Sequence, residues 1–227
     1  MVKLDPYRLA DRAIPFLKMW FGYNSIGTEN LTKAAEKGFV VVATTHASFL
    51  GAVITGLAAR TTLNDEPYVV LHQRLKNDPF EYFFVRGLHS TYVDDNGSNN
   101  LQALRDIEKV IIERQTKTGN HVKSLIVAPQ GDVNYPDPKK LKFKEGFAIP
   151  LIHAVDAGIN VQIVPAIDHG IPYANHWSNA ISKLIIPGRI RATAIFGKPI
   201  DVQPQMRRGE LTRRVEEAVK DLMKKYA

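Results

Sequence analysis

The chain has 227 residues, with 30 Lys and Arg against 23 Asp and Glu for a net charge of +7, and no cysteine. That length buries a substantial core, and 44% hydrophobic with 23% charged residues excludes the disordered and fibrous classes. The lack of cysteine excludes disulfides, thiolate nucleophiles, iron–sulfur clusters and Cys-ligated zinc. The basic balance points to an anionic partner: nucleic acid, acidic lipid headgroups, a phosphorylated substrate or an acidic carrier.

Residues 9–21 place Leu9, Ala13, Phe16, Leu17 and Trp20 at helical spacing around Pro15, and predict an N-terminal helical extension over 1–24. Asp5, Asp11 and Pro15 interrupt the apolar run a secretion signal needs, so none is read there. A short helix over 28–37 closes at Gly38. Residues 39–59 then hold no Asp, Glu, Lys or Arg, a length that spans a bilayer. Their first part is β-branched and their second rich in Ala, Gly and Leu, with His46 between Thr45 and Ser48. The run therefore predicts a buried strand over 39–45, a turn, and a helix over 49–60.

A strand over 67–71, a short helical segment over 78–84 and a strand over 90–93 follow. The next helix begins at 101 and reaches about residue 117, with Leu101, Leu104, Ile107, Ile111 and Ile112 on its inner face. An apolar strand over 123–128 runs into Pro129-Gln130-Gly131-Asp132, then a Pro- and Lys-rich loop, then a helix over 145–157. Strands over 161–167 and 190–196 precede a closing helix over 210–226, whose inner face carries Leu211, Val215, Ala218, Val219 and Leu222. Alternation of this kind predicts an α/β fold: one domain over 1–227, with a mainly parallel sheet flanked by helices.

Open parallel sheets bind ligands at the carboxyl ends of their strands. Two segments fall there: Thr45-His46-Ala47-Ser48 and Ala128-Pro129-Gln130-Gly131-Asp132. An imidazole between a strand and a helix suits a general base, although a lone histidine also serves as a structural hydrogen-bonding group. No HExxH pair, Gly-rich phosphate loop, zinc-finger spacing or RNA-binding aromatic signature occurs. No metal, cofactor or nucleic acid is therefore expected.

The run Ser25-Ile26-Gly27-Thr28-Glu29-Asn30-Leu31, a buried strand, and then Thr45-His46-Ala47-Ser48 resembles the glycerophospholipid acyltransferase family of the lysophosphatidic acid type. There a GxENL segment leads through a strand to an NHxSxxD block. Further segments keep the family order: His72 to Pro79, then Pro129-Gln130-Gly131-Asp132, then Phe143-Lys144-Glu145-Gly146-Phe147-Ala148, then Val164-Pro165-Ala166. The resemblance implies transfer of a fatty acyl group from an acyl thioester, acyl-CoA or acyl carrier protein, to a hydroxyl or amine acceptor without an acyl-enzyme. It makes His46 the general base, sets Ser48 on the same turn and gives Pro129, Gln130, Gly131 and Asp132 the shaping of the acceptor pocket. Gly51 counts with the substrate-binding positions, and Lys142 and Lys144 either meet donor phosphates, with Lys144 the binding candidate, or lie in a solvated Lys-rich loop.

Three departures stand out. The family's His-orienting Asp is Gly51 here, and its FPEG glutamate is Gln130. The arginine expected near the end of the second block is missing from Tyr92-Val93-Asp94-Asp95-Asn96, which argues against a glycerol-phosphate acceptor. The departures also support an alternative, a non-catalytic relative that binds lipid or acyl groups. Asp132 and Asp94 are the candidate substitute carboxylates, and His89 with Asp94 is a second His-plus-five-Asp spacing. Asp168-His169-Gly170 follows a strand and His176-Trp177 lies in a loop; either lines a pocket or, the commoner case for loop histidines, faces solvent. The expected setting is cytoplasmic, with peripheral contact to the inner face of an anionic membrane through Phe16, Trp20 and Phe21.

Overall fold

The uncharged run 39–59 divides between two elements of different period. In the computed structural model, which describes residues 15, 22–45, 49–76, 88–94, 100–114, 121–130, 137–170 and 191–226, it supplies strand β2 (Phe39–Thr44) and most of helix α2 (Phe49–Leu63). No helix of the described residues is long and apolar enough to cross a membrane. The remaining strands are β1 (Asn24–Ile26), β3 (Tyr68–His72), β4 (Ser90–Val93), β5 (Ser124–Val127), β6 (Val161–His169), β7 (Thr193–Phe196) and β8 (Ile200–Asp201). The remaining helices are α1 (Thr28–Lys37), α3 (Asn100–Glu113), α4 (Ala148–Asp156) and α5 (Arg208–Tyr226).

The sheet order is β1-β7-β6-β2-β5-β3-β4, with β8 also pairing β6. Strands β6, β2, β5, β3 and β4 run parallel, while β7 and β8 lie antiparallel to β6. The sheet is thus mostly parallel with flanking helices, as the alternation of elements predicts. Strand β2 is central and buried on both faces, which is why its sequence is apolar without a break. Phe39, Val41 and Ala43 pack in one core with Ile107 and Ile111 of α3, Leu151 of α4, and Leu211 and Val215 of α5. Val40 and Val42 pack on the other face with Leu31 and Ala34 of α1 and Ile54 and Ala58 of α2.

Some boundaries and faces differ from expectation. Leu101 is 72% exposed and Ile112 39% exposed; the buried positions of α3 are Ala103, Asp106, Ile107, Val110 and Ile111. The face is turned because Asp106 points inward. Its carboxylate accepts hydrogen bonds from Thr91 Oγ1 (3.3 Å) and Gln102 Nε2 (2.8 Å), a polar inner position that a count of apolar residues misses. The helix expected from 145 starts as a 3₁₀ turn over Glu145–Phe147 and becomes α-helical at Ala148. Pro150 then sits in the first turn, where its missing N–H costs no intrahelical bond. Of the N-terminal extension expected over 1–24 only residues 15 and 22–24 are described, and Asn24 already opens β1; the segment 78–84 lies outside the described residues.

Candidate active site

Strand β2 pairs in parallel with β5 on one side and β6 on the other, so the carboxyl ends of all three open at one edge of the sheet. Thr44 is the register partner of Ala166, and the next residue, Thr45, keeps its N–H on Ala166 O (3.3 Å). Strand β6 continues past this level. Antiparallel pairing with β7 carries it through Asp168, opposite Ala194, to His169, opposite Thr193. The apolar pattern ends at residue 167 and predicts Asp168 just past the strand; the ladder to β7 instead holds Asp168 on it.

Asp168 lies between the end of β2 and the start of α2. Its Oδ1 accepts a hydrogen bond from Thr45 Oγ1 (3.0 Å), while its Oδ2 is buried and has no hydrogen-bond partner among the described residues. Across from it stands Gly51, in the first turn of α2. A Cβ at position 51 would come within 2.2 Å of Asp168 Oδ2 and 2.4 Å of its Cγ, so glycine there makes room for this carboxylate. Burial raises the Asp168 carboxyl from 3.8 to about 6, against the lowering effect of hydrogen bonds from Thr45 and its own backbone.

The second sequence segment lies at the end of β5. Pro129 and Gln130 are buried, and Pro129 O accepts the backbone N–H of Lys144 at 2.9 Å. The chain from 141 to 144 alternates, with Leu141 and Phe143 buried and Lys142 and Lys144 exposed. It is pinned a second time where Phe143 N–H meets Glu216 Oε2 of α5 (2.8 Å), and the Phe143 ring meets Phe147 edge to face. Two exposed lysines are thus anchored beside the β5 end. Of the residues the sequence singled out, Gly51, Pro129, Gln130 and Lys144 share this edge of the sheet. His46, Ser48, Gly131 and Asp132 lie outside the described residues, as does His176.

The alternative carboxylate Asp94 follows β4, three strands from β2 in the sheet order. At about 4.8 Å per strand it is some ~14 Å away, too far to orient a group at the β2 end. Nor does it form a dyad with His89. That residue precedes β4 and pairs through Nε2 with Glu66 Oε2 (3.0 Å), while Asp94 follows the strand and exchanges backbone hydrogen bonds with the Asn100 side chain. Among the described residues no three His, Asp or Glu side chains gather as a metal site.

The GxENL segment has a structural part to play. Gly27 takes φ 76° at the start of α1, and Asn30 Nδ2 donates to Phe196 O of β7 (3.1 Å). The motif thereby seats α1 against the strand that supports β6.

No curated protein sequence matches the chain significantly. Among solved structures it is similar to the 1-acyl-sn-glycerophosphate (LPA) acyltransferase PlsC from Thermotoga maritima, with a TM-score of 0.59 at 18% identity, covering 97% of this chain and 78% of that one. That likeness is one of fold. A family model described as Acyltransferase matches residues 24–167, from β1 through the apolar body of β6. The span takes in the segments that follow β2 and β5 in the sequence, and the chain belongs to the acyltransferase family.

Proposed function

We propose that the protein transfers a fatty acyl group from an acyl thioester, acyl-CoA or acyl carrier protein, to a hydroxyl or amine acceptor, with His46 as the general base. The observation that carries this reading is the buried carboxylate of Asp168 at the carboxyl end of the central strands. It fills the space next to Gly51 where the family pattern has its acidic side chain. The glycine that favours a non-catalytic relative is therefore compatible with a working site.

In the reaction the imidazole takes the proton of the acceptor hydroxyl or amine as that group attacks the thioester carbonyl. Negative charge collects on the former carbonyl oxygen, where backbone N–H groups or the Gln130 amide at the β5 end stabilise it. Collapse breaks the carbon–sulfur bond, the thiolate leaves, and the imidazolium returns its proton to sulfur. The products are an ester or amide and a free thiol. The acceptor is one other than glycerol phosphate, because the segment after β4 offers Asp94 and Asp95 in place of a phosphate-binding arginine.

His46→Ala tests the assignment. With palmitoyl-CoA as donor and a panel of lysolipids, alcohols and amines as acceptors, thiol release should fall by at least ~10³-fold while the thermal unfolding midpoint holds. Undiminished release by the variant removes His46 as base. Saturable binding of palmitoyl-CoA by wild type with no release on any acceptor supports the non-catalytic reading instead.

A further inference from the structure

We infer that Asp168 is the positioning carboxylate of the active site, supplied from strand β6 in place of the side chain that Gly51 lacks. The inference rests on the reading of His46 as base. The family pattern puts an Asp on the first turn of the helix five residues after the His. Here that position is glycine, and the volume a side chain would fill holds the Asp168 carboxylate. Gly51 and Asp168 are thus sterically exclusive partners: either position carries the acid, and the other must be small.

Three features fit a positioning role. Asp168 stands two residues past Ala166, as His46 stands two past Thr44, the register partner of Ala166. Its Oδ1 is already engaged by Thr45, the residue immediately before His46, which leaves Oδ2 as the acceptor for an imidazole N–H. The strand that carries it is clamped by β7 on both sides of position 168, through Ile167 against Ile195 and His169 against Thr193. A carboxylate on a strand so held orients a base better than one on a mobile loop. The role is to fix the ring and its tautomer and to stabilise the imidazolium, with no contact to substrate required.

The test pairs a spectroscopic measurement with a reciprocal exchange. In the ¹⁵N-labelled protein, the imidazole resonance lost in His46→Ala identifies His46, and its titration is followed in wild type and Asp168→Asn. Loss of a neighbouring carboxylate should lower the His46 pKa by about one unit or more; an unchanged titration overturns the inference whether or not the protein turns over. With palmitoyl-CoA, Asp168→Asn should cut kcat by ~10³-fold or more with little change in KM.

Gly51→Asp alone should also be impaired, by collision with Asp168, whereas Gly51→Asp with Asp168→Ala should recover at least about tenfold over Asp168→Ala. A folded Asp168→Asn variant as active as wild type, beside an inactive His46→Ala, overturns the role of Asp168 and leaves the base in place. If Asp168→Asn does not fold, Asp168→Ala carries the same titration: a His46 pKa lowered by about one unit supports the inference, and an unchanged one overturns it.

Discussion

A carboxyl group that folding holds near 6 rather than 3.8 makes the native state bind a proton more tightly than the unfolded chain does. For Asp168 the sign follows directly. Its contribution to stability is greatest below pH ~4, falls as pH rises through ~4–6, and stays at its low plateau above that window. The size is set by roughly 1.4 kcal/mol per unit, or at most about 3 kcal/mol for this group. Asp168→Asn keeps the shape and removes the ionisation. The variant should therefore unfold at higher urea than wild type at pH 8, with the two converging near pH 4. Parallel curves at every pH would show that burial of the charge costs nothing. Holding an acid in this place at the expense of stability is the usual mark of a site kept for activity.

Elements differ in how much of themselves they declare in sequence. Strand β2 and helix α2 were legible because a double-sided burial imposes an unbroken apolar run and because the change from β-branched to Ala- and Leu-rich residues marks the turn. Strand β5 was legible for the same reason, and with it the placing of Pro129 and Gln130. Strands β1 and β8 have three and two residues, too few to show a period, and exist through pairing with β7 and β6.

The end of β6 was misplaced because Asp168 and His169 lack apolar side chains. They are strand only because β7 supplies the ladder partners. The signal that was available was a carboxylate directly following an apolar strand at the ligand-binding edge. Gly27 shows the reverse case, a motif residue read as part of a family pattern whose local reason is structural. It takes φ 76°, and a Cβ there would lie 2.2 Å from Phe196 O. Gly27→Ala should cost about 1–3 kcal/mol in urea unfolding. Hydrogen exchange should lose protection first in the β1–β7 ladder, since the displaced neighbour is β7 itself. Loss spread evenly over the sheet would mean that the junction is not seated there.

Over the whole molecule the surplus of seven positive charges is an average, and its use depends on where cations meet the reaction. Lys142 and Lys144 are exposed on a segment whose backbone is tied to Pro129 at the β5 end and to Glu216 on α5. Their alternation with buried Leu141 and Phe143 turns both ammonium groups outward beside the sheet edge where the thioester would react. A donor rich in phosphate gains from such a rim through screened attraction, which strengthens binding without touching the bond-making step. Lys144→Ala should accordingly raise KM for palmitoyl-CoA about two- to fivefold, the scale of one exposed ion pair, and leave kcat unchanged. Raising salt from ~50 to ~500 mM should weaken wild type toward the variant. A palmitoyl thioester of N-acetylcysteamine, which has no phosphate, should respond to neither change. Equal sensitivity of the two thioesters would assign the lysines to the acceptor or to a lipid surface, and a KM indifferent to salt with both donors would remove the charge from substrate capture.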